Sequence, residues 1–176
     1  EPNAQRLADL ADLVRDTASD PAASPAARRD LVVSYSRYGD MLAATGNTAE
    51  ALEYHRLALG VMRALAAIAP DDLGTLRQLG VAHHKVGNVL GNPNYPNIGD
   101  HAGALVAMQQ SVAVFERASA RYPDSAMFKR NLAVARSNVA DILTALGRRQ
   151  EAMAEERKAL ETFDFAAAPS IRKAHI

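Results

Sequence analysis

Histidine is the residue type in this chain with the clearest chemical potential: His83 and His84 adjoin, with His55, His101 and His175 elsewhere. Neutral imidazole is a common metal ligand and general base. Successive residues on a helix point about 100° apart, however, so His83 and His84 cannot both meet one ion. No His-Glu-x-x-His spacing occurs, and no third ligand stands in register. Cysteine is absent, which removes thiolate nucleophiles, disulfides and the usual structural zinc sites. Ser34, Ser36, Ser111 and Ser137 fall in helical segments without the strand-to-helix elbow that exposes a nucleophilic serine. No glycine-rich phosphate loop is present, and Asp164-Phe165-Ala166 has no catalytic-loop residues around it. These patterns predict no catalytic residue, no metal and no cofactor, and hence a chain that is not itself an enzyme.

Charge excludes further classes. Lys plus Arg and Asp plus Glu are 20 each, so no net field attracts nucleic acid or an anionic membrane. Isolated basic pairs such as Arg28-Arg29 and Arg148-Arg149 read as solvated helix ends. No apolar run approaches the roughly 18 residues that would cross a bilayer, and no signal peptide is visible. The chain starts Glu-Pro rather than Met and reads as an excerpt of something longer. Alanine is abundant, aromatics are few and tryptophan is missing. That composition favours closely packed helices over sheet.

The elements that would position any site repeat. "RDLVVSYSRYGDML" from Arg29, "RQLGVAHHKVGNVL" from Arg77 and "RNLAVARSNVADIL" from Arg130 align. Leu31, Leu79 and Leu132 correspond, as do Gly39, Gly87 and Ala140, and then Leu42, Leu90 and Leu143. A second register follows each, in which Ala51, Ala104 and Ala152 match. Pro70-Asp71 and Pro123-Asp124 close the first two units. Each unit reads as a helical hairpin: a first helix to about Ala44, a turn at Thr45-Gly46-Asn47, and a second helix to Pro70. Small residues at Gly39 and Ala51 fall where the two helices approach. Self-similarity of this kind outweighs any single motif.

The order of a bulky residue, an apolar-Gly pair, two alanines and a proline resembles the tetratricopeptide repeat. In the first unit Tyr35, Tyr38-Gly39, Leu42, Ala51, His55, Ala58 and Pro70 carry it, and the likeness covers about residues 27–163. Two departures stand out: His55 and Glu156 occupy a position usual for a packing aromatic. Glu156 therefore suggests a last helix that is a solvent-facing cap. The resemblance implies an all-α, right-handed α-solenoid of antiparallel helical hairpins with about seven helices. A half-repeat over 1–20 precedes Ser24-Pro25, an N-cap and first-turn proline. Units follow at 24–72, 73–124 and 125–165, with a tail at 166–176. Arg29 and Arg77 are 48 residues apart, against about 34 in the standard repeat. The excess falls as seven residues in each helix, close to two turns, which keeps the buried faces in phase.

The concave face of such a stack is the candidate binding groove. Spacings of three, four and seven residues assign to it Val33, Ser36, Asp40 and Ala43; Val81, His84 and Asn88; and Val134, Ser137, Asp141 and Thr144. Small, polar and apolar groups alternate there, which suits a peptide lying across the stack. Asn88 is placed to hydrogen-bond a peptide backbone, and Asp40 and Asp141 to meet lysine or arginine. Two acids oppose a C-terminal carboxylate tail, so the expected ligand is a neutral or basic protein segment. "GNPNYPNIGD", residues 91–100, is a five-residue insertion in the second hairpin turn. Tyr95 either anchors it on neighbouring helices, the preferred reading, or contacts a partner. The wording of this insertion resembles long repeat arrays found C-terminal to some bacterial serine/threonine protein kinases. That likeness implies an alternative role as a regulatory, sensor or oligomerising segment, with copies pairing through the stack ends as a homodimer. The expected compartment is the cytoplasm, or extracytoplasmic if the chain is joined to a membrane-spanning kinase.

Overall fold

A computed structural model describes residues 24–172, with side chains described as far as Phe163. The half-repeat expected at 1–20 lies outside the described residues. Six helices follow in order: α1 Pro25–Ala44, α2 Thr48–Ile68, α3 Leu73–Gly91, α4 His101–Arg121, α5 Ala126–Ala145 and α6 Arg149–Arg172. Each packs on its neighbours in sequence, as a stack of three hairpins. The described chain is all-helical, a tetratricopeptide-like solenoid with six described helices where about seven are expected. Its last helix runs on into the range read as a tail.

Local chemistry sets the helix ends. Ser24 accepts a hydrogen bond from the Ala27 N–H at 3.2 Å, with Pro25 in the first turn. Asp72 accepts from the Thr75 N–H and hydroxyl at 2.8 and 2.9 Å, starting α3. These caps satisfy amide groups that have no partner inside the helix. Two hairpin turns are built alike. Gly46 and Gly147 have φ of 87° and 76°. After each, the next residue's N–H reaches back to the helix, Asn47 to the Leu42 carbonyl and Arg148 to that of Leu143. This is the Schellman closure, which a glycine at positive φ permits without strain.

Within hairpins the small residues let helices approach until backbone meets side chain. A Cβ at Gly80 would lie 2.5 Å from the Phe115 ring, and one at Gly87 2.9 Å from Met108. At Gly39 it would lie 2.7 Å from the His55 imidazole. The main core runs from Leu31 and Tyr35 through Leu52, Met62, Leu79 and Met108 to Val139 and Ile142. A second cluster joins Leu76, Phe115, Phe128 and Leu132 at the junction of the second and third hairpins.

Gly80→Ala is expected to destabilise the fold by about 1–3 kcal/mol, because Phe115 is buried and has no room to yield. Gly60→Ala, on an open helical face with nothing within 4 Å of the added methyl, should instead stabilise by about 0.5–1 kcal/mol. Thermal or urea melts of the two variants test the pair, and equal effects would refute this packing account.

Candidate functional site: a walled groove on the concave face

The first helices of the three hairpins line one side of the stack, and a groove of about 520 Å³ opens there. Its walls are Asp40 and Ala43 from α1, Val81, His84, Lys85 and Asn88 from α3, and Asn131 and Val134 from α5. Tyr95 and Pro96 of the inserted loop line it as well. Pockets of this size with apolar walls and a few placed polar groups are the usual form of a binding site.

The loop reaches this position through Asn92. That side chain is fully buried. Its amide donates to the side-chain oxygens of Asn88 at 2.9 Å and Asn138 at 3.0 Å, linking α3 to α5. Its own side-chain oxygen accepts from the Asn94 N–H, and its carbonyl accepts from the Tyr95 N–H and the Asn97 amide. The returning chain then performs the task that Gly46 and Gly147 perform in the other turns. Ile98 and Asp100 N–H groups cap the Val89 and Leu90 carbonyls at 3.0 and 2.8 Å. His101 donates from Nδ1 to the Gly91 carbonyl at 2.6 Å. Gly91 is required by this close return, since a Cβ there would sit 2.6 Å from the Asp100 backbone. The loop is therefore a fixed wall. Tyr95, 47% exposed, is not its anchor but part of its groove-facing surface. Asn92 holds the loop because a buried amide with every group paired is far harder to displace than a half-exposed ring.

Charges in the groove are largely neutralised within the protein. Lys85 Nζ contacts both Asp40 carboxylate oxygens at 2.5 and 2.6 Å. The buried His55 imidazole lies 3.6 Å from the same carboxylate through Nε2. Burial lowers its pKa to about 4; the nearby Lys85 pushes the same way and Asp40 opposes. Burial, with Lys85, lowers His84 to about 4 as well. Both rings are thus neutral near neutral pH. Asp141 accepts a 2.7 Å hydrogen bond from the Asn94 amide. Its pKa is raised by burial and by Glu156, against the Asn94 hydrogen bond.

Of the residues assigned to the groove from sequence, Asp40, Ala43, Val81, His84, Asn88 and Val134 come together around this opening. Val33 and Ser36 lie on α1 outside it. Ser137 donates to Glu156 at 3.2 Å, Thr144 donates back to the Ala140 carbonyl at 2.9 Å, and Asp141 sits under Asn94. The acids expected to meet a basic ligand are consequently engaged already, one by Lys85 and one by the loop. Spacing missed Lys85 and Asn131 as wall residues. Lys85 stands four residues after Val81, and Asn131 three before Val134, so the helical period contained both. What hid them was the choice of one residue per turn. His83 is buried on the other side of α3, beside Arg56, Arg63 and Val86, and its pKa is also lowered to about 4, by burial first and then Arg63. Among the described residues no group of three or more His, Asp or Glu is placed to hold a metal ion.

Residues 132–163, which span most of α5 and the facing part of α6, match the family model described as a tetratricopeptide repeat. No curated protein matches the chain. The family is one of protein–protein interaction modules and is generally non-catalytic. No helix among the described residues is long and apolar enough to cross a membrane.

Asn92→Ala should lower stability by about 1–3 kcal/mol, since it leaves Asn88 and Asn138 short of a partner. Tyr95→Ala should move the melting temperature little, and a fall as large as that of Asn92→Ala would return the anchor to Tyr95. Acid should act through the three histidines. Their unfolded value near 6.5 exceeds the folded value of about 4. The unfolded chain therefore binds more protons between those values. Their contribution is complete above pH 6.5 and drains away as the pH falls toward 4. His55→Met, which installs the side chain that the second hairpin packs on Gly87, should make that decline shallower. A series of melts across this pH range measures it, and an unchanged slope would clear His55 of any part.

Proposed function

We propose that this chain is a protein-interaction module that binds a neutral peptide segment in the groove between α1, α3 and α5. The observation that carries the reading is the combination of a walled, largely apolar opening with internally matched charge. Val81, Val134, Ala43 and the Tyr95-Pro96 wall offer apolar contact, while Asn88 and Asn131 supply amide groups to its lining. A peptide backbone presents both donors and acceptors, which asparagine can match in either sense. An acidic tail would meet Asp40 and find Lys85 already taken. A strongly basic segment would have to pull Asp40 away from Lys85, which adds nothing over water.

A second reading, an oligomerising segment, is favoured by one observation: the last helix leaves the large apolar side chains of Met153, Leu160 and Phe163 uncovered; a place beside a bacterial serine/threonine protein kinase rests on the likeness of the 91–100 insertion alone. The two readings use different surfaces.

Selection of peptides from a displayed random library, followed by titration of the winners, tests the first reading. Asn88→Arg and Val81→Arg should each weaken binding at least tenfold, equivalent to about 1.4 kcal/mol. Val33→Arg, on α1 but outside the groove, should leave it unchanged. Enriched peptides dominated by acidic residues, or equal binding by all three variants, would sink the proposal.

A further inference from the structure

On the other side of α3 from the groove lies a second opening, of about 430 Å³, lined by α2, α3 and α4. It shares no lining residue with the groove. Arg56 and Arg63 of α2 line it, seven residues apart and so on one face of their helix. Gly60 stands between them, and a Cβ there would meet nothing within 4 Å, so α2 puts no side chain between the two guanidinium groups. His83 of α3 and Gln110 of α4 complete the polar lining, while Leu59, Val86 and Val106 supply apolar surface.

The repeat register shows which charge this crevice lacks. Arg63 occupies the place that Glu116 has one hairpin on, and His83 the place of Arg136. There the acid and the base are ion-paired at 2.7 Å. The acids lining the matching crevice between α4 and α6 are all paired within the protein: Glu116 with Arg136, Glu151 with Arg148 and Glu155 with Lys158. Between α2 and α4 the acid has been replaced by a second base. Neither Arg56 nor Arg63 has an ion pair or hydrogen bond among the described residues. The acids that α2, α3 and α4 carry, Glu50, Glu53 and Glu116, do not line the opening. His83 is 5% exposed, and its ring makes no hydrogen bond among the described residues. A buried polar group in that state is costly unless something from outside completes it.

We infer that this crevice receives the phosphoryl group of a phosphorylated side chain on a partner protein. Two guanidinium groups, the His83 ring and the Gln110 amide line it as donors, and guanidinium forks match phosphate oxygens in pairs. Charge decides between anions. A carboxylate balances one guanidinium, as Glu116 balances Arg136, and leaves the second unmatched. A phosphodiester, in a nucleic acid or a lipid, also carries a single charge. A phosphorylated side chain carries about −1.5 to −2 at neutral pH and balances both arginines. The apolar part of the lining is then free for the residues that flank it. Because the crevice and the groove share no residue, this assignment stands or falls apart from the binding of a neutral peptide.

Phenyl phosphate, a phosphate monoester on an apolar ring, is the first probe. Titrated into the 176-residue chain and followed by NMR, it should shift the His83 ring and Gly60 amide resonances to saturation. It should bind about tenfold or more tightly than benzoate, which carries a carboxylate on the same ring, and more tightly than inorganic phosphate. Arg63→Glu, which restores the acid that the next hairpin has at this place, should weaken binding about tenfold or more with an unchanged thermal melt. Gly60→Leu, which fills the space between the arginines without a clash, should do the same. Arg37→Glu, an equal change of charge on α1, should leave binding as it was. Short peptides with one phosphoserine between degenerate flanks should displace phenyl phosphate, and the same pool with serine or glutamate should not. Benzoate or the glutamate pool binding as well as the phosphorylated probes would make this a carboxylate site. Inorganic phosphate binding as tightly as the ester would make it a site for the free ion. Either result overturns the inference, as do an absence of resonance shifts and an affinity that Arg63→Glu and Arg37→Glu change alike.

Discussion

Close approach of paired helices, with a small residue on one facing a large side chain on the other, governs this molecule. Gly39 lies under His55, Gly80 under Phe115 and Gly87 under Met108. Interiors at this density gain dispersion contacts that a looser pairing would forfeit. The same contact fixes each hairpin's rotation, and hence which residues of the first helix face outward. The groove follows from that rotation. Had the glycines stood one position along, Val81 and Asn88 would point elsewhere and the concave face would present other groups.

One hairpin departs from the plan, and the departure shapes the site. In the first and third turns a glycine at positive φ closes the helix in three residues. In the second, nine residues intervene between α3 and α4, and their own N–H groups and the His101 ring cap the carbonyls that the glycine turn would have capped. The inserted chain is thereby held without a hydrophobic anchor. Asn92 ties it to two helices at once, and that bridge holds the loop whose Tyr95 and Pro96 line the groove. A surface loop thus becomes a rigid part of the candidate binding face. Its hydrogen bonds are satisfied within the protein, so its side chains stand ready to meet a ligand without a large ordering penalty.

The electrostatics are equally economical. Lys85 and Asp40 neutralise each other across the α1–α3 junction, and burial keeps His55 and His84 uncharged. A partly exposed ion pair of this kind contributes only about 0–1 kcal/mol to stability. Its consequence for the proposed recognition is greater, because it removes charge that a ligand in the groove would otherwise meet. At the opposite end of the stack the balance reverses. There α6 keeps apolar groups in positions that the other hairpins bury.

The sequence by itself determined the helical class, the hairpin period and most of the turn chemistry. Those follow from local rules: Ser24-Pro25 starts a helix, Gly46 ends one, and Leu31 and Leu42 recur in every unit at fixed spacing, with a small residue (Gly39, Gly87 or Ala140) between them. It also located the insertion and half of the groove residues, since a helical period names a face. Only the tertiary structure decided which residues on that face remain open. Asp40 and Asp141 looked available, yet one meets Lys85 from another helix and the other a loop asparagine 47 residues away in sequence. Asn92 looked like a turn residue and is the buried tie between helices; Tyr95 looked like the anchor and is half exposed. Periodicity says which way a side chain points from its own helix. Whether it is then covered, paired or left to a partner depends on what distant chain segments bring against it.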